Sequence, residues 1–279
     1  MHRKFVYKVE NEMDFWSVLK GIDWCQKNVI YLENDIVFHE KRNLRLNSAV
    51  VINGQGHSIF YPQDSSFEGS FLNTTMFPYR QCIKVKKAED LEKIRGAKNG
   101  TCIVEFLTDI EGYSMDSIEL QDFDGSLILL GNHHMLRNMT IYGEENNGLI
   151  GYMKSCSSLR VKNLFLNQIY LVHSKEASAG FILGNHGTKK DSRVMNVCSP
   201  VIVKNCSIVN SKMDDSKKSM GIIMGNYHEE LYVRNCNIYK NALTSGMPLK
   251  SLVGGQEIFD GYYYESENDK GPMLKRKLY

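Results

Sequence analysis

Proline is scarce in this chain, 5 residues in 279, and no apolar run is long enough to span a bilayer. Charge of one sign is also missing: 34 Lys and Arg against 32 Asp and Glu leave a net +2. That balance excludes a global electrostatic pull towards nucleic acid, membrane or acidic ligands, so any charge effect must be local. The opening "MHRKFVYKVENEMDFW" has basic residues but no following apolar run of signal-peptide length. The chain therefore reads as cytoplasmic, without membrane insertion. Seven cysteines, an odd number with no Cys-x-x-Cys pair, suit reduced thiols better than a disulfide framework or a zinc site. What is present is ordinary: 42% hydrophobic and 24% charged residues, enough to bury a real core in one long domain or two short ones.

Against that background one phrase recurs four times: "HMLRNMTIYG" (134–143), "LRVKNLFLNQ" (159–168), "VIVKNCSIVN" (201–210) and "LYVRNCNIYKN" (231–241). Aligned on Asn138, Asn163, Asn205 and Asn235, each copy has Arg or Lys before the asparagine and alternating apolar residues on both sides. This is period-two strand, a sharp corner, then strand again. Asparagine tolerates the left-handed backbone that such a corner needs. A second phrase keeps step with the first: "NNGLIGY", "AGFILGN", "MGIIMGN" and "KSLVGGQ", in which short apolar runs end at Gly151, Gly184, Gly225 and Gly254. We read these glycines as turns. Each unit is then strand, glycine turn, variable loop, strand, Asn corner, strand, and repeats of this size and content predict stacked strand units, a parallel β-solenoid. Cys206 and Cys236 would stack inside it as small apolar groups.

Residues 105 to 256 also resemble a known family. "DFDGSLILLGNHHMLRNMTIYGEENNGLIGYMKSCSSLRVKNLFL" looks like the opening of bacterial GLUG-motif domains, and "AGFILGN" and "MGIIMGN" look like the motif itself. The resemblance implies an all-β fold, a right-handed parallel β-helix of the pectate-lyase-like kind with short capping or inserted helices. The family's members are mostly repeat modules of surface and adhesin-like proteins, and no catalytic residues belong to the motif.

The first eighty residues carry a weaker echo. "DFWSVLKGIDWCQKNVIYLENDIVF" with "VVINGQGHSIFY" parallels "EDLEKIRGAKNGTCIVEFLTDIEGY" with "LILLGNHHMLRNMTIYG", making Asp35 equivalent to Asp109 and His57 to His134. Helices are expected near 13–26 and 88–97, each covering an otherwise unpaired first strand. The organisation that follows is an N-terminal module, 1–80, a GLUG-like β-helix, 81–260, and a tyrosine-rich basic tail, 261–279.

Candidates for chemistry are few. Arg137, Lys162, Lys204 and Arg234 should form a column of like charges at roughly the 4.8 Å sheet spacing, either a solvated corner or a seat for a polyanion. His133, His134, His186 and His228 follow Gly-Asn turns, but no carboxylate or cysteine recurs beside them, so no metal site is assigned. Asp214, Asp215 and Asp124 lack partners in neighbouring strands, and no catalytic pair of the hydrolase or lyase type is assigned either. Binding residues are placed at the column, at loop lysines Lys189, Lys190, Lys217 and Lys218, and at Tyr262, Tyr263 and Tyr264. Loops 186–199 and 210–219 on a rigid scaffold are natural recognition elements. The resulting reading is a non-catalytic scaffold, without cofactor, that binds a macromolecular partner. A protein comes ahead of a glycan or nucleic acid, as for an inhibitor or adaptor from a mobile element. A carbohydrate-active or glycan-binding protein is the alternative.

Overall fold

Only two helices occur among the described residues, Glu12–Gly21 (α) and Ala88–Gly96 (3-10); most of the rest is strand. The computed structural model describes residues 4–187, 199–226, 231–247, 249 and 251–254 in full, and 262–266 and 272–276 by their backbone. The chain divides into two compact units, Met1–Gln81 and Cys82–Tyr279.

In the first unit, Asn11 caps the α-helix by accepting from the Asp14 N–H at 3.0 Å. The helix stops at Gly21, short of the expected 26, because Ile22 is extended and Asp23 turns the chain by accepting from the Cys25 N–H. Strands Lys4–Val9, Lys27–Leu32, Val50–Asn53 and Ser70–Leu72 form a parallel sheet. Phe15 of the helix packs edge-on to Phe38, ring centroids 5.0 Å apart, over Ile30, Leu32 and Ile52.

In the second unit the chain passes repeatedly through the same parallel sheets in the same order. The largest holds Gln81–Val85, Gly100–Phe106, Gly125–Leu130, Ser158–Lys162, Val201–Lys204 and Leu231–Arg234. The next holds Ile110–Glu111, Met135–Arg137, Phe165–Asn167, Ser207–Val209 and Asn237–Tyr239, and a third holds Ser114–Asp116, Thr140–Gly143, Tyr170–His173, Lys212–Met213 and Ala242–Leu243. A fourth, Ile118–Leu120, Ile150–Met153, Leu183–His186 and Met224–Asn226, lies beyond a short one, Asn146–Asn147, Ser178–Gly180 and Ser219–Gly221. Register converts alternation into core columns. Leu127, Leu159, Val201 and Leu231 align, as do Leu136, Leu166, Ile208 and Ile238. Each fully buried aliphatic side chain contributes about 1.5–3 kcal/mol, so these columns dominate the unit's stability.

Two corners, rather than one, carry left-handed residues. At the first, Asn163, Asn205 and Asn235 have φ of 53°, 54° and 53°, and Asn205 Nδ2 donates to Asn163 Oδ1 at 3.0 Å. At the second, Asn138, Gln168, Asn210 and Lys240 have φ of 52°, 56°, 52° and 55°. Asn138 therefore does not align with the other three asparagines. Arg137 pairs in register with Asn167, and Lys162 with Leu130. The sequence alignment slipped by one strand because both corners need positive φ and both recruit asparagine after an apolar strand. At Asn205, alanine is expected to be about 1 kcal/mol less stable than glycine, since both lose the ladder bond and only alanine keeps a Cβ in the left-handed region. Equal urea midpoints for the two variants would contradict this.

Three of the four motif glycines are not turns. Gly151, Gly184 and Gly225 lie inside strands, in register with one another, and have no left-handed φ. Gly254, which follows the Val253–Met224 bridge, does sit at a turn. Gly184, Gly225 and Gly254 are glycines because neighbouring backbone leaves no room for a side chain, and Gly151 because the Ser117 and Glu119 side chains do. A Cβ on Gly184 would sit 2.6 Å from Asn147 N and from Gly151 O.

The echo between the units has a structural basis. In the first unit Gly54, Gln55, Gly56 and His57 make a turn with φ of 51° at Gln55, and Asp35 Oδ1 accepts from the Ser58 N–H at 2.7 Å. In the second unit Gly131, Asn132, His133 and His134 repeat it with φ of 49° at Asn132, and Asp109 Oδ1 accepts from Met135 N–H at 2.9 Å. The His–Asp pairs are 3.8 Å and 3.1 Å apart respectively.

Candidate functional site

The cationic column is shorter than the sequence suggested. Lys162, Lys204 and Arg234 are in register on adjacent strands, whereas Arg137 lies in the next sheet and pairs with Glu111 at 2.6 Å. The strip instead gains aromatics: Tyr232 and Tyr239, 55% and 54% exposed, occupy the two strands that meet at Asn235. Lys217 and Lys218 are exposed at a bend, while Lys189 and Lys190 lie outside the described residues. Tyr262, Tyr263 and Tyr264 belong to a strand, Tyr262–Ser266, that pairs antiparallel with Pro272–Arg276.

The histidines do not converge. His133 packs near Phe165, His134 faces Asp109, and buried His186 places Nε2 2.7 Å from Ser157 O; His228 lies outside the described residues. Asp214 and Asp215 diverge, the first accepting from Tyr170 Oη at 2.8 Å, the second from Ser245 Oγ at 2.8 Å. Both tie one pass to the next. Asp124 has Cys156 Sγ at 3.9 Å. The described cysteines are free thiols, and burial pushes the Cys102 thiol up to about 12, which leaves it unreactive at neutral pH.

What the sequence reading missed is a cleft of about 700 Å³ in the second unit, lined among others by Arg95, Asp116, Glu119, Tyr142, Glu145 and His173. The elements explain the convergence. Asp116, Tyr142 and Val172 stand in register on three successive strands of one sheet, and Gly143 pairs with His173. Glu119 sits at a bulge: Ile118 pairs with Ile150 but Glu119 with Tyr152, skipping Gly151. The Glu119 carboxylate fills the space a Gly151 side chain would take, which gives that glycine its reason.

Arg95, from the 3-10 helix, donates to Ser117 O at 3.0 Å, to Asp116 O at 2.8 Å and to Glu92 at 2.6 Å. Burial pushes the Glu119 carboxyl up to about 7, with the Glu145 charge acting the same way and the Arg95 guanidinium opposing both. Glu119 Oε2 and His173 Nε2 are sealed from water and have no hydrogen-bond partner. His173 Nδ1 lies 2.9 Å from Ser174 O, which can only accept, so the network puts the imidazole proton on Nδ1 and leaves a lone pair on Nε2. A glutamate between two buried strand residues, "SIEL", was the one visible signal.

Comparison with family models, curated proteins and solved structures returns no match for this chain. Among the described residues no helix is long and apolar enough to cross a membrane.

Proposed function

We propose that residues 82–254 form a right-handed parallel β-helix, as the GLUG resemblance implies, and that the coil is a rigid, non-catalytic scaffold for a protein partner. Support for the coil is the repeated passage through the same sheets in one order, with core columns in register. The observation that carries the functional half is the exposed strip of Tyr232 and Tyr239 around Arg234, with Lys204 and Lys162 in register beside it. Tyrosine and arginine are enriched where proteins meet, because they bring large contact area and directional bonds at low ordering cost. A column of three cations on a chain of net charge +2 supplies too small a counterion-release effect for a polyanion to be the first choice. An inhibitor or adaptor fits this description.

A photo-crosslinking residue at position 239 or 232 tests it in the native host. The expected result is one protein adduct of defined mass at both positions, absent when the same residue replaces exposed Met13, and lost when Arg234→Glu is added. Adducts that are equal at position 13, or that contain nucleic acid, would refute the reading.

A further inference from the structure

We propose that the cleft formed by Glu119, Glu145, Tyr142 and His173 binds an organic cation, a guanidinium such as the arginine side chain of the protein partner. The cleft itself is independent of the scaffold reading; only the source of the cation rests on it. Its lining carries Asp116, Glu119, Glu144 and Glu145 against a single Arg95, whose guanidinium is already engaged by Glu92 and two backbone carbonyls. Charge complementarity therefore asks for a cation.

The nature of that cation follows from spacing and hydrogen bonding. No three of these lining groups bring ligand atoms within 4.8 Å of one another, so they are too dispersed for a bare metal ion and suit a broader, delocalised charge. The lining carboxylates present acceptors only, and a guanidinium offers five N–H groups in a planar fork. Tyr142, 45% exposed on the wall, supplies a ring face that attracts cations. The groups facing Glu119 fix its response. Burial and Glu145 hold its proton on, Arg95 opposes them, and an arriving cation displaces it.

Agmatine, a free guanidinium compound, and a blocked Gly-Arg-Gly peptide are the probes, added to the full chain with amide NMR as the readout. Shifts are expected at Gln121, Tyr142–Asn146 and Ser174. If only ionised Glu119 binds, affinity rises about tenfold between pH 6 and pH 8, across the pKa near 7. Glu119→Gln should remove that pH step, and the exposed Glu145→Gln should weaken binding without disturbing the fold. Binding of both probes supports a side-chain guanidinium. Agmatine binding with the peptide excluded would assign the site to a free guanidinium compound and overturn the partner assignment. Absent shifts, equal shifts with neutral maltose, or a pH step that survives Glu119→Gln would overturn the cation site. Crosslinking at position 239 is unaffected by any of these outcomes, so the scaffold reading stands or falls separately.

Discussion

Gly184→Ala should destabilise the second unit by about 3 kcal/mol, and Gly184→Val should prevent its folding, because the added atoms overfill a site whose walls cannot retreat. The reason is contact, not conformation. A Cβ at this position would lie 2.6 Å from Asn147 N, 2.6 Å from Gly151 O and 2.9 Å from Asn147 O, all of them backbone atoms of the preceding pass. Side-chain ends can swing aside at small cost; paired backbone cannot move without breaking ladder bonds. Gly225 faces the same situation one pass later, against Ala179 N and Gly184 O, so the effect should recur there. Gly96 is the control. It has no left-handed φ and nothing within 4 Å of its absent Cβ, and alanine there should be neutral or slightly stabilising. Urea unfolding of the full chain, followed by circular dichroism, separates these outcomes. A Gly184→Ala midpoint close to that of Gly96→Ala would remove close backbone approach as the reason for the motif glycines.

Those glycines show where sequence reading succeeds and where it stops. Their recurrence was legible, and so was that of Asn163, Asn205 and Asn235, because each residue type answers a geometric demand repeated on every pass. The kind of demand was not legible. A glycine that permits φ > 0 and a glycine that admits another backbone look identical in a sequence, and here the second reason holds for Gly184. Asn138 misled for a related reason. Two corners with the same left-handed requirement sit a few residues apart, so a one-strand slip costs nothing in pattern, yet it moved Arg137 out of the column and onto Glu111. The internal echo fared better because paired side chains mark it. Asp35 and Asp109 each accept from the residue after a Gly-x-x-His turn, a local bond that repeats wherever the turn does. The cleft was out of reach. It assembles Arg95, Glu119, Tyr142 and His173 from separate elements and depends on a bulge that skips Gly151, and none of this leaves a periodic trace.

A second large effect is expected at Asn147, which is 0% exposed beneath the same cleft. Its Nδ2 donates to Ile141 O at 3.1 Å and to Val172 O at 2.8 Å, bridging two successive strands of one sheet. Its Oδ1 lies 3.2 Å from Ser117 Oγ, whose single proton is shared between that oxygen and Gly148 O at 2.6 Å. Asn147→Asp keeps the shape and removes both N–H donors: ionised, it sets a carboxylate against two carbonyl oxygens inside the protein, and protonated it has one O–H for the two. Each orphaned buried acceptor costs about 1–3 kcal/mol, so a loss of about 3 kcal/mol or more is expected. Asn147→Leu has no oxygen to oppose the carbonyls, so it should fall between Asp and the parent if hydrogen bonding dominates. It should fall below Asp if fit to the site dominates. The Asp variant adds a second signature: burial disfavours its charged form, so the deficit should grow as pH rises, while the Leu variant's deficit stays flat. Denaturation midpoints for the two variants at acidic and neutral pH measure both effects. If Asn147→Asp matches the parent at neutral pH, the amide is not what holds these two strands together.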